Sequence, residues 1–150
     1  MTVHKLTELP SHHINLDEFL AELEPGAIQA FRALQRPRFY PQGARVFAEG
    51  EAPSGVLVLS SGAARISVSG RQGNKLQSWT AEPGEILGLH AILSGAPYEA
   101  TVESLTPCEG FFISSSDFLD FLCSHKGAAF RVVQLLSHHP DYLCQAALFR

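Results

Sequence analysis

Between Arg38 and Ser116 the chain is cut by glycines at positions 43, 50, 55, 62, 70, 73, 84, 88, 95 and 110. The pieces left between them are of strand length, which no long helix survives. The runs Val56-Leu57-Val58-Leu59, Ala64-Arg65-Ile66-Ser67-Val68, Leu76-Gln77-Ser78-Trp79-Thr80, Ala100-Thr101-Val102 and Phe111-Phe112-Ile113 are rich in β-formers. Arg65, Ser67 and Ser69 alternate with Ile66 and Val68, the period of a half-buried strand. Many short strands with Gly and Pro turns predict a double-sheet barrel or jelly roll of about eight strands. One segment departs: Leu89-His90-Ala91-Ile92-Leu93 reads as a turn of helix between Gly88 and Gly95.

Helical spacing flanks this region. Asn15 and Glu18 form a capping-box pattern ahead of apolar residues at Leu16, Phe19, Leu20 and Leu23. Pro25-Gly26 interrupts, and a second helix presents Ile28, Phe31 and Leu34 on one face, with Pro37 expected to close it. After Ser114, Ser115 or Ser116 is expected to cap a helix carrying Phe118, Leu119, Phe121 and Leu122. A last helix starts near Lys126. Its positions Ala129, Val133, Leu136, Leu143 and Ala147, with Pro140 between, follow a 4-3-4-3-4 seam fit to meet a second chain. Pro140 lacks a donor and crowds the carbonyl of Leu136, so a kink is expected there. The expected division is a helical extension over 1–27, a β-roll over 28–125 and a C-terminal dimerisation helix over 126–150. Trp79, Phe111, Phe112, Phe118 and Phe121 have the spacing of core and interface packing.

The 150 residues suffice for one domain with a real core. Charged residues are 17 % and the net charge is −4, a balance against a basic nucleic-acid-binding surface. No uncharged run reaches the ~20 residues that a bilayer needs, and no leader pattern opens the sequence, so a cytoplasmic location is expected. Cys108, Cys123 and Cys144 are widely spaced and make neither a disulfide framework nor a metal quartet; buried free thiols are expected. His12-His13 and His138-His139 are adjacent pairs that do not chelate from one helix face, and no metal site is expected. A single histidine such as His90 can serve as an axial haem ligand, but surface or internally satisfied histidines are the expectation and no cofactor is expected. No Gly-x-Ser-x-Gly elbow, Walker lysine or His-Glu-x-x-His helix is present, and Glu82/Glu85 and Glu99/Glu103 read as turn and strand ends, so no catalysis is expected.

Two stretches carry a family resemblance. The run from Phe47 through Gly50-Glu51, Pro53-Ser54-Gly55 and Val56-Leu57-Val58-Leu59 to Gly62 resembles the early strands of the cyclic nucleotide-binding β-roll. So does Pro83-Gly84-Glu85-Ile86-Leu87-Gly88-Leu89-His90, followed by Gly95-Ala96-Pro97-Tyr98-Glu99-Ala100-Thr101. Over residues 28–150 the chain resembles the effector domain of Crp/Fnr transcription regulators. The resemblance implies a homodimer, a small-molecule effector and a role in transcription regulation. It places the ligand cassette at Gly84, Glu85, Ile86, Leu87, Gly88, Leu89, His90, Tyr98, Glu99 and Ala100. By the same resemblance a helix-turn-helix domain would follow the last helix. The sequence stops at Leu148-Phe149-Arg150, so no direct DNA contact is expected from it.

The cassette departs from the family at the positions that hold a nucleotide. The ribose-binding glutamate falls on Leu89 and the phosphate-binding arginine on Tyr98. Between Lys75 and Lys126 there is no Lys or Arg, while Glu82, Glu85, Glu99, Glu103, Glu109, Asp117 and Asp120 are acidic. A charge-assisted contact is worth about 1.5–3 kcal/mol and an unpaired buried charge costs about 3–5 kcal/mol. Losing the arginine therefore weakens a phosphate ligand by roughly 10²- to 10³-fold or more. The sequence thus predicts a signal-sensing regulatory module that does not bind cyclic AMP, with Tyr98 and Glu99 at the mouth of its pocket. A sensor for haem or another small effector, and a dimeric scaffold without ligand, are the alternative readings.

Overall fold

The computed structural model describes residues 14–69 and 76–137. Two short helices come first, α1 (Leu16–Leu20) and α2 (Pro25–Leu34). Six strands follow: β1 (Arg36–Tyr40), β2 (Arg45–Phe47), β3 (Gly55–Ser61), β4 (Ala64–Ser69), β5 (Leu76–Ala81) and β6 (Ile86–Leu87). Helix α3 (Leu89–Ser94) separates these from β7 (Thr101–Ser104) and β8 (Cys108–Ser114). Helices α4 (Ser115–Ser124) and α5 (Lys126–Ser137) complete the described chain. The strands form two four-stranded antiparallel sheets, ordered β1-β8-β3-β6 and β2-β7-β4-β5. This is the mainly-β double-sheet roll with flanking helices that the glycine spacing predicts.

The two sheets share one core and the first has a second core behind it. Leu57 and Leu59 of β3 face the roll interior with Phe47, Ala64, Ile66, Leu87, Val102 and Cys108. Val56 and Val58 face the other way, toward the helices. A strand buried on both faces reads as an unbroken apolar run, which is the Val-Leu-Val-Leu of β3. Behind it, Phe19, Phe31, Phe118 and Phe121 bring α1, α2 and α4 together with ring centroids 5.3–6.5 Å apart. Edge and tilted aromatic pairs of this kind are worth about 0.5–1.5 kcal/mol each beyond their buried area. Ala128, Val132 and Leu135 of α5 close the same core.

Several boundaries differ from expectation for identifiable reasons. Helix α2 ends at Leu34, and Pro37 lies inside β1 rather than closing the helix. Strand β1 ends its sheet's order, so a proline is tolerated on its free edge. Helix α2 also crosses the expected division between residues 27 and 28. The cap of α4 is Ser114, whose hydroxyl accepts from the Asp117 amide at 3.2 Å; Ser115 instead donates to Pro53 O. Asn15 caps α1 by accepting from the Asp17 amide rather than that of Glu18. Cys108 is buried and its thiol donates to Ala63 O and Thr106 O, whereas Cys123 is exposed rather than buried. Cys144, Pro140, Leu143, Ala147 and the His12-His13 and His138-His139 pairs lie outside the described residues.

Candidate functional site

The cassette is built around three glycines in the left-handed region. Gly84 has φ +100° in the turn before β6, Gly88 has φ +92° at the N-cap of α3, and Gly95 has φ +74° at its C-cap. A side chain at Gly88 is strained by dihedral and crowded by its neighbours. A Cβ there would lie 3.1 Å from Gly55 O and 3.2 Å from both the Phe47 and Tyr98 rings. Gly88 thus packs directly against the Gly55 carbonyl and two aromatic rings of the roll interior.

Tyr98 supplies one of these two rings. It is 4 % exposed, and its ring stacks on Phe47 with centroids 4.3 Å apart and planes 19° from parallel. Its hydroxyl accepts from the Ser54 amide at 3.0 Å and from the Gly55 amide at 3.1 Å, and donates to Gly55 O at 2.7 Å. The Ser54 hydroxyl stands 3.3 Å away. Two consecutive backbone N–H groups converging on one oxygen make a nest, a natural seat for an anionic oxygen. Here the seat holds a phenol. The main chain repeats the tie, since the Tyr98 amide donates to Glu51 O at 2.9 Å and Tyr98 O accepts from Gly50 at 2.8 Å.

The other cassette positions fall on different surfaces. Ile86 and Leu89 are buried in the core beneath the helices, while Leu87 and Tyr98 are buried in the roll interior. Leu89 is 6 % exposed, so the position expected to match the ribose glutamate is part of a packed apolar face. Glu85 is buried, with its backbone bridged to Asn15. His90, Glu99 and Ala100 are half-buried. The expectation that Tyr98 stands at a pocket mouth is corrected: its stack and its hydrogen bonds hold it inside. Around the cassette, Glu49 and Glu51 are exposed, and Glu49 accepts from the Ser69 amide and hydroxyl. A depression of about 330 Å³ lies elsewhere, over Pro37, Phe39, Ser60 and Phe111, and shares no residue with the cassette. Among the described residues no cluster of three or more His, Cys, Asp or Glu is placed to hold a metal ion.

Ser54, Gly55 and Phe47 are site residues that sequence reasoning does not single out. The signal is long-range: the Gly55 amide meets a hydroxyl 43 residues further along the chain. On α5 the expected seam is partly described. Val133 is 58 % exposed, Ala129 and Leu136 are half-buried, and Phe130 beside them is 63 % exposed. Val133 and Phe130 lie off the face that Ala128, Val132 and Leu135 bury, whereas Leu136 packs against the edge of that core.

The family model for the cyclic nucleotide-binding domain matches residues 37–125. Among solved structures, the chain is similar to the catabolite activator protein of Thermus thermophilus, with a TM-score of 0.76 and 19 % identity. That match covers 85 % of this chain and 60 % of the other, so the chain spans well under two thirds of that protein's length. It is also similar to the sensor domain of the transcriptional regulator DNR from Pseudomonas aeruginosa, with a TM-score of 0.68, 22 % identity, and 91 % and 88 % of the two chains covered. The N-terminal domain of a transcriptional regulator from Streptomyces coelicolor A3(2) matches with a TM-score of 0.68 and 18 % identity, over 83 % of this chain and 89 % of that one. No curated protein matches the sequence. No helix among the described residues is long and apolar enough to cross a membrane.

Proposed function

From the premise that the chain belongs to the cyclic nucleotide-binding domain family, we propose that it is a Crp/Fnr-type regulatory module whose cassette is occupied by its own Tyr98 and takes no cyclic nucleotide. The observation that carries this reading is the Tyr98 hydroxyl seated on the Ser54 and Gly55 amides in front of Gly88. A nucleotide entering this space must displace three hydrogen bonds at about 1 kcal/mol each and an aromatic stack worth about 0.5–1.5 kcal/mol. Together these weaken binding by roughly 10³-fold, in addition to the loss of an arginine at position 98. The nearby carboxylates of Glu49, Glu51 and Glu99 add a field of the wrong sign for a phosphate.

The module acts by presenting α5 to whatever it regulates, in the cytoplasm and without catalysis of its own. The exposed apolar strip of Phe130 and Val133, flanked by Ala129 and Leu136, supports pairing with a second copy of the chain. Calorimetric titration with cyclic AMP and cyclic GMP tests the occupied cassette. The wild-type chain should give no binding heat up to millimolar nucleotide, and micromolar affinity would overturn the reading. Tyr98→Arg, which removes the phenol and restores the cation, should gain affinity. Leu89→Glu is a poor companion variant, because it places a carboxylate in the core under the helices.

A further inference from the structure

Helix α1 is five residues long, far below the ~12–15 at which a helix holds itself together in water. Its two ends are held by two different parts of the fold. At the N-terminal end, the Leu16 amide donates to Gly84 O at 2.6 Å and the Ile86 amide donates to Ile14 O at 2.9 Å. Asn15 bridges Glu85 in antiparallel register, and its side chain sits against Gly84, where a Cβ would come 2.8 Å from Nδ2. Residues 14–16 are thus tied to the opening turn of the cassette by one antiparallel bridge. That turn is anchored on its other side to β3, through Leu59 N to Glu85 O and Gly84 N to Leu59 O.

At the C-terminal end, Arg131 of α5 donates from Nε to Glu18 O at 3.0 Å. Its Nη1 also reaches Gln134 Oε1 at 3.4 Å, which steadies the guanidinium along α5. Helix α1 has no basic residue in its own last turn, so the cation that its exposed carbonyls favour comes from α5. Between the two ends, Phe19 and Leu20 are buried in the aromatic core, which fixes the helix laterally. Its length is about 7.5 Å at 1.5 Å per residue.

We propose that residues 14–20 are a strap that couples the cassette's opening turn to the pose of α5, with Arg131 as the positioning residue at its far end. A shift of Gly84–Ile86 carries Ile14–Leu16 with it, and a helix this short, held in the core by Phe19 and Leu20, passes the shift to Glu18 O and so to Arg131. Arg131 follows Phe130 in sequence but sits about 100° away from it around α5, so the strap holds the helix from the side beside the Phe130 and Val133 strip and not on the strip itself. The coupling goes beyond the reading of the cassette as occupied by Tyr98 and stands whether or not a ligand enters.

Residue-level amide hydrogen exchange on the full chain tests it. Arg131→Gln keeps helix propensity while removing the bond to Glu18 O. Exchange at the Leu16 and Ile86 amides, at the opposite end of α1, should rise about fivefold, roughly the loss of one net hydrogen bond's protection. Exchange over Ala64–Ser69 of β4 should stay within twofold of wild type. Coupling is reciprocal. Asn15→Ala, which uncaps α1 at the cassette end, should therefore raise exchange over residues 131–137. A rise confined to residues 17–19 and 130–132, with the Leu16 and Ile86 amides unchanged, would overturn the proposal. So would a uniform rise that includes β4, which makes Arg131 a general stabiliser. Nucleotide titration of wild type reports separately on the cassette, so either idea can fail alone.

Discussion

Tyr98→Phe isolates the hydroxyl from the ring. The phenylalanine keeps the Phe47 stack and the packing against Gly88, and deletes only the oxygen that three backbone groups share. Ser54 is exposed, and water replaces its lost partner at little cost. Gly55 is buried, and both its N–H and its C=O lose the partner they had. At about 1–3 kcal/mol for each of the two buried groups left unpaired, the expected loss of stability is roughly 2–6 kcal/mol. Equilibrium urea unfolding reads this as a fall of about 1–3 M in midpoint with the slope unchanged, at a slope of about 2 kcal/mol/M. A loss below about 0.5 kcal/mol, the scale of an ordinary surface substitution, would mean that the nest is open to water. The hydroxyl would then not be what closes the cassette.

Three further outcomes are expected. Gly88→Ala should cost about 2–4 kcal/mol in the same urea assay, because it forces a left-handed φ and pushes a Cβ against Gly55 O and two rings. Ser104→Ala should cost about 1–2 kcal/mol, since its buried hydroxyl donates to Pro41 O and accepts from the Ala44 amide. The Gly43 and Ala44 amides should exchange faster in that variant. Val133→Asp should leave the stability of the dissociated monomer, read by urea unfolding at low protein concentration, within about 0.5 kcal/mol of wild type, as expected for an exposed site. Sedimentation should nevertheless find its self-association weakened at least tenfold, and unchanged association would remove α5 as the dimer face.

The parts of this fold legible in the sequence are those whose signal is local. Strands β3, β4 and β8 have apolar runs bounded by glycine, and α3 is bracketed by Gly88 and Gly95, both with positive φ. Strand β1 escapes such reading because Arg36-Pro37-Arg38-Phe39 is exposed along its length, and its strand partner among the described residues is β8, far along the chain. Strand β2 has three residues and a register shift against β7, too little for any alternation to register. At the cassette, the missing arginine and the acidic surroundings are written in the sequence. What Tyr98 does instead is not, because its partners are main-chain groups of Ser54 and Gly55 and carry no side-chain signature. The split of Leu89 and Tyr98 onto two cores also escapes linear reading. It depends on which face of β6 and α3 each residue takes, and those faces are set by the helices packed behind.

The most direct test of a cassette occupied from within is hydrogen exchange at the Ser54 and Gly55 amides, measured without ligand and at millimolar cyclic AMP. Both amides should be protected without ligand, because the Tyr98 hydroxyl accepts from each, and nucleotide should leave their rates unchanged. Fast exchange without ligand that slows on adding cyclic AMP would contradict the account, since the seat would then be vacant and the nucleotide its occupant.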